Sequence, residues 1–235
     1  MRSKIDLSYY KISPLLNDKR IKHRFFYKCD SNNNFYDFQS PLSESLIESV
    51  LNELKLDRLI VLNQNHTPHV VIYPSLNGEK FADGIITNQK RVGLLVRHAD
   101  CQAALFYDPK KQVIAAVHAG FRGQVHQIYK KTVAKMQKHF DCHPSNILVS
   151  VSAGLGLAHS EFINYKEEFP QELHRYACNN FMDLKKMAFD ELKEAGLLEE
   201  NIDIDPSCTF EREDLYFSYR RDKTKMRMGS IIGLF

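Results

Sequence analysis

Tryptophan is absent from this chain of 235 residues, and several other scarcities narrow what it can be. The five cysteines, Cys29, Cys101, Cys142, Cys178 and Cys208, are odd in number and widely spaced, with no C-x-x-C. That excludes a disulfide framework and fits a reducing compartment. The ten histidines are scattered, without a single H-x-H pair. Charge of either sign is nearly balanced, 32 basic against 29 acidic residues for a net of +3, which gives no reason to expect a nucleic-acid or membrane partner. The opening stretch, MRSKIDLSYYKISPLLNDKRIKHRFFYKC, holds no apolar run long enough for a signal peptide or membrane helix, so a cytoplasmic location is expected. Repeats, low-complexity tracts and linkers are also lacking. The polar stretch Asp30 to Asn34 reads as a turn between an N-terminal hairpin and the main body, and one domain over residues 1–235 is expected.

What is present is a regular alternation of short apolar strands and amphipathic helices. Leu46, Ile47, Val50, Leu51 and Leu54 make one stripe of a helix from Pro41 to Leu56, with Ser40 as the expected cap. RLIVLN (58–63), HVVIYP (69–74), GLLVRH (93–98), AALFYD (103–108), VIAAVH (113–118) and NILVSVSA (146–153) read as strands, several buried on both faces. Helices are expected over 123–140 and 181–195, and ENIDID as a last short strand. The fold class that follows is α+β (mixed α/β), a layered sandwich of mixed sheets flanked by helices.

Chemistry concentrates between Gly93 and Gly123. Asp108-Pro109-Lys110-Lys111 is a turn, so 103–108 and 113–118 form an antiparallel hairpin. Counting outward from its tip puts Cys101 opposite Ala119 or Gly120, and His118 opposite Gln102 or Ala103. A thiol and an imidazole thus arrive together at the open end of one hairpin, and these are zinc-binding residue types. His66, just before a Thr67-Pro68 turn, is the natural third ligand. Three donors leave a tetrahedral ion one open position, which is the catalytic pattern. The alternative is that Cys101 is a small buried hydrophobe and the histidines are ordinary core or surface residues. Arg122, at the entrance to the following helix, suits a phosphate, as do Arg220 and Arg221; each could equally pair with a local carboxylate. Asp83 and Asp100 read as turn residues or as partners orienting an imidazole. His98 as a fourth ligand is disfavoured by strand alternation.

ADC (99–101), DP (108–109) and VHAGFRG (117–123) resemble the signature of the laccase-domain family, also called the multicopper polyphenol oxidoreductase family, with Phe121 in the place of its Trp. QNHT (64–67), ADGIIT (82–87), CT (208–209) and FSYRRD (217–222) resemble further motifs of it, in order, from about Leu59 to Leu234. Departures are His98 before ADC, a 152–164 stretch lacking the family's Pro and Glu, Met226 in place of a Gly, and a different first fifty residues. The resemblance implies zinc on His66, Cys101 and His118, and a sandwich similar to that of toxin-type cysteine deamidases. It implies phosphorolysis of purine nucleosides (inosine, guanosine, adenosine) to base and ribose 1-phosphate, with methylthioadenosine cleavage and adenosine deamination as related activities. The partners expected are then a nucleoside and phosphate, on a monomer or homodimer. Three other readings remain: a Cu2+-dependent phenol oxidase, a hydrolase using Cys101 as nucleophile and His118 as base, and a family member without catalysis.

Overall fold

In the computed structural model, residues 7, 9–30, 32, 34–75 and 81–235 are described. Ser31 and Asn33 of the expected turn, and Met1–Asp6 at the N-terminus, lie outside them. Two mixed sheets stack face to face. The first has β1 (Tyr10–Lys11), β2 (Ile21–Phe26), β13 (Met228–Leu234), β6 (Val92–His98) and β3 (Arg58–Val61), in that spatial order. The second has β12 (Ile202–Ile204), β9 (Leu148–Val151), β7 (Gln102–Asp108), β8 (Val113–Ala119), β5 (Gly84–Thr87) and β4 (Val70–Ile72). A small hairpin, β10 (Ala177–Cys178) with β11 (Phe181–Met182), stands apart.

Period-two alternation sorts the core into layers. Leu94, Val96 and Ile232 of the first sheet meet Ala103, Leu105, Tyr107, Ile114 and Ala116 of the second. The neighbours of these residues point the other way. Leu95 and Ile231 pack with Leu46, Val50 and Leu54 of α1 (Glu44–Leu54). Ala104, Phe106, Ala115 and Val117 pack with Ile128, Val133 and Met136 of α3 (Ile128–Phe140) and Ala188 and Leu192 of α5 (Leu184–Glu194). The result is four layers, helix–sheet–sheet–helix. That explains why the central strands read as continuous apolar runs: each is buried on both faces.

The hairpin register is Gln102↔Ala119 and Ala103↔His118, within the range that counting from the turn gave. Three helix boundaries differ from expectation. α1 starts at Glu44 because Ser43, not Ser40, accepts the N–H of Leu46 at 3.2 Å. The helix expected over 123–140 is two: α2 (Phe121–Val125), then α3 after Gln127 turns left-handed at φ 60°. The exposed N–H groups of Tyr129 and Lys130 at that break are taken by Glu191 at 2.8 and 3.0 Å, which satisfies the new helix end. Residues Phe181 and Met182 belong to β11, and α5 begins after Asp183, whose side chain caps it. Strands β2, β5 and β13 were not singled out as strands from the sequence. No described helix is long and apolar enough to cross a membrane.

Candidate metal centre and active site

The site lies where the chain crosses between the two sheets. β6 of the first sheet leads through Ala99-Asp100-Cys101 into β7 of the second; β3 of the first leads through the His66 loop towards β4 of the second. β3 and β6 run parallel, so both crossovers leave the same end of the sandwich. β8 finishes there too, carrying His118. The Gln64 side chain holds the first crossover to the second strand, donating to the Arg97 carbonyl at 2.7 Å and accepting from its N–H at 2.9 Å.

Donor atoms of His66, Cys101 and His118 consequently come within 4.8 Å of one another. The two imidazoles meet edge to face with centroids 4.9 Å apart. Gly120 makes the crowding feasible: a Cβ there would lie 3.0 Å from His66 Cδ2 and 3.1 Å from Cys101 Sγ. The loop residues bearing the site are themselves bent into left-handed backbone, His66 at φ 62° and Asp100 at φ 78°. Each is held by its hydrogen bonds rather than by glycine.

Asp83 supplies most of those bonds. One oxygen lies 2.8 Å from His118 Nδ1 and accepts the His66 N–H at 3.1 Å. Its other oxygen accepts the N–H of Thr67 at 2.8 Å and of Asn65 at 3.2 Å. Burial opposes the charge on this carboxylate, yet the His118 imidazolium and the loop N–H groups outweigh it and hold its pKa below the usual range. Burial likewise pushes the Cys101 thiol up. The charge of His118 and hydrogen bonds from both imidazoles reverse that and bring it below the usual thiol range. The same pairing, with Asp83 behind it, raises His118 against its own burial. Each of the two groups thus favours the charged form of the other.

Asp100 does for the other crossover what Asp83 does for the first, accepting from Thr209 Oγ1 at 2.8 Å and from the Arg220 N–H at 2.7 Å. His98 lines the cavity wall, but its Nε2 pairs with Ser230 Oγ at 2.8 Å, and burial pushes its pKa down to about 3, which leaves it neutral.

Above the three donors opens a cavity of about 810 Å³, walled by Arg97, Arg122, Arg220, Lys225 and Arg227 against one carboxylate among the described residues, Asp100. Phe81, Phe121, Phe162 and Tyr219 line it as well. Arg122 is exposed and rests over the Phe121 ring at 4.8 Å; Arg220 lies 5.6 Å over Phe162 and donates to the Glu161 carbonyl at 2.7 Å. Arg221 is a correction. It does not line the cavity, because its guanidinium donates to the carbonyls of Thr209, Phe210 and Tyr216 and pairs with Asp222. Sequence reasoning missed Arg97 and Lys225, and noted Arg227 only as what remains of a family element beside Met226, with no role at the site. Only sheet pairing brings β6 and the start of β13 side by side.

The sequence pattern described as multi-copper polyphenol oxidoreductase laccase matches residues 43–235. A Bacillus subtilis protein named purine nucleoside phosphorylase YlmD is 32% identical over 165 residues, 66% of this chain and 59% of its own length. One of Campylobacter jejuni, named purine nucleoside phosphorylase Cj1217c, is 27% identical over 88% of this chain and 90% of that one. A purine nucleoside phosphorylase of Aquifex aeolicus is 34% identical over 73% and 81%. Among solved structures, YlmD from Geobacillus stearothermophilus matches with a TM-score of 0.80 over 94% of both chains at 22% identity, a likeness of fold. The sheets, the crossovers and the matched pattern agree: this chain belongs to the multi-copper polyphenol oxidoreductase laccase family.

Proposed function

We propose that the protein is a zinc-dependent purine nucleoside phosphorylase, cleaving inosine, guanosine or adenosine with phosphate to free base and ribose 1-phosphate. The observation that carries this reading is the meeting of His66, Cys101 and His118 beneath a cavity whose charged wall, among the described residues, is almost wholly cationic. The relatives' names point the same way.

The donor set fits zinc. Two imidazoles and a thiolate are ligands it prefers, and the Asp83 contact at His118 Nδ1 leaves Nε2 as the metal-facing nitrogen. An ion held there would supply Lewis acidity and a fixed positive charge. The rest falls to the chain. Arg122 and Arg220 draw in and orient the phosphate dianion, with Arg97, Lys225 and Arg227 adding to the field. Phosphorolysis joins a phosphate oxygen to C1′ as the C1′–N9 bond breaks, and charge that develops on the leaving base needs neutralising. Rings of Phe81, Phe121, Phe162 and Tyr219 offer flat apolar faces for a purine. Methylthioadenosine cleavage and adenosine deamination are finer extensions of the same proposal.

Two rivals differ from this reading in what they require of the site. A copper phenol oxidase reducing oxygen to water needs several metal centres to store electrons, whereas this donor set holds one ion. A Cys101 hydrolase would use the close Cys101–His118 pair in the metal-free form, where His118 lowers the thiol's pKa, and metal content separates it from the zinc reading. The test is incubation of zinc-loaded protein with inosine, with and without phosphate. Phosphate-dependent hypoxanthine release, lost in His118→Ala, supports the proposal. Absence of turnover of any purine nucleoside by zinc-loaded protein overturns it.

A further inference from the structure

A second group of metal-ligand residues stands apart from the first and shares no residue with it. Donor atoms of His159, Cys208 and Glu211 lie within 4.8 Å of one another. His159 ends the turn Leu157–His159, while Cys208 and Glu211 belong to the loop between β12 and the short helix Tyr219–Asp222. His159 Nε2 is 3.2 Å from Glu211 Oε1, and its ring lies flat on Phe210, with centroids 4.1 Å apart and planes 12° from parallel. Cys208 is buried, with its sulfur accepting the Gly156 N–H at 3.1 Å.

A histidine–glutamate pair at a surface contributes little by itself and has no use for a sulfur beside it. A buried cysteine packs well as a small hydrophobe and has no use for an imidazole and a carboxylate. The three together are a donor set of the kind zinc takes, nitrogen, sulfur and oxygen. Bonds of about 2.0–2.3 Å to a tetrahedral ion put donors roughly 3.5 Å apart. With His159 and Glu211 already 3.2 Å apart and every pair within 4.8 Å, shifts of about an ångström bring the cluster to that size. Ring stacking on Phe210 and the Gly156 N–H already fix the other two donors.

We propose that His159, Cys208 and Glu211 bind a second zinc ion, which braces the loop adjoining the active site. The link is one residue long. Thr209 follows Cys208, and its hydroxyl holds Asp100, which precedes Cys101 and receives the Arg220 N–H. Metal at the second site therefore stiffens the crossover that presents Cys101 and Arg220.

The test uses full-length chain carrying Cys101→Ser and His118→Ala, which strips the first cluster of its sulfur and one imidazole. Zinc is removed and cobalt(II) titrated. The expected result is one bound cobalt per chain with a thiolate-to-cobalt charge-transfer band, and a rise in melting temperature on adding zinc. Adding Cys208→Ser abolishes the band, and adding His159→Ala or Glu211→Gln weakens cobalt binding at least tenfold. Glu211 is exposed, so its variant folds whatever the fate of the buried Cys208. A folded background protein with no such band overturns the proposal, as does a band indifferent to all three substitutions. The outcome is separable from the phosphorylase reading. One ion in the unmutated chain and none in the double variant removes the second site alone; one ion in each removes the first.

Discussion

Asp83 and His118 are joined by a 2.8 Å contact between a fully buried carboxylate and the Nδ1 of a buried imidazole. Because the same carboxylate gathers the N–H groups of Asn65, His66 and Thr67, a single side chain positions two of the three donors, one on a loop and one on β8. Asp83→Asn keeps the size but replaces an acceptor by a donor facing N–H groups. Zinc affinity and phosphorolysis should both fall roughly 10–100-fold, measured by competition with a chromophoric chelator and by hypoxanthine release. A variant with unchanged zinc affinity shows that Asp83 serves the loop and not the metal.

Gly120 gives a sharper geometric test. Its φ of −76° suits any residue, so alanine there strains no backbone; the atoms nearest the added methyl belong to His66 and Cys101. Gly120→Ala should lower zinc affinity at least about tenfold while the metal-free protein melts within about 3 °C of the original. Equal losses of stability and metal binding would point to a packing role.

The arginines divide by what they touch. Arg122→Ala and Arg220→Ala should each raise the KM for phosphate by about tenfold or more, the worth of a charge-assisted hydrogen bond. Arg221→Ala frees three loop carbonyls and should lower the melting temperature by several degrees with little change in that KM. Initial-rate kinetics against phosphate, beside thermal melts, decide it; a phosphate KM moved by Arg221→Ala alone reverses the assignment.

How far the sequence reached can be seen at these same residues. The turn at Asp108-Pro109 fixes the hairpin, and counting from it places Cys101 and His118 together without any tertiary information. From the residues alone His66 was readable only as a suitable residue before a turn, with the resemblance of QNHT to a family motif beside it, since its approach depends on β3 and β6 lying parallel. The stacking of two sheets was implicit in strands apolar on both faces. β13 and β2 escaped notice because MGSIIGL and IKHRFF carry glycines or charges that blur the alternation, though both pair in the first sheet. The helix break at Gln127 has no local signal; it is bought by Glu191, more than sixty residues away. Arg220 and Arg221 are neighbours in one motif, and only the carbonyls around Arg221 tell them apart.

Glu191 also makes stability depend on pH. Burial raises its pKa to about 8, against the opposing pull of the Lys130 and Tyr129 N–H groups. A carboxyl whose folded pKa lies above its unfolded value stabilises fully below the unfolded value, and that contribution is lost as pH rises through the folded one. Glu191→Gln retains an acceptor without the charge. Its melting temperature relative to the parent should therefore climb by roughly 4 °C or more between pH 5 and pH 8.5. A difference independent of pH means that Glu191 is ionised at no cost.

Anomalous diffraction at the zinc absorption edge, on crystals of zinc-loaded protein, addresses the metal centre directly. The account predicts a peak within bonding distance of His66, Cys101 Sγ and His118 Nε2, with Asp83 still on Nδ1. Zinc-loaded crystals with no peak among those three atoms, and Cys101 free to be alkylated, would contradict it.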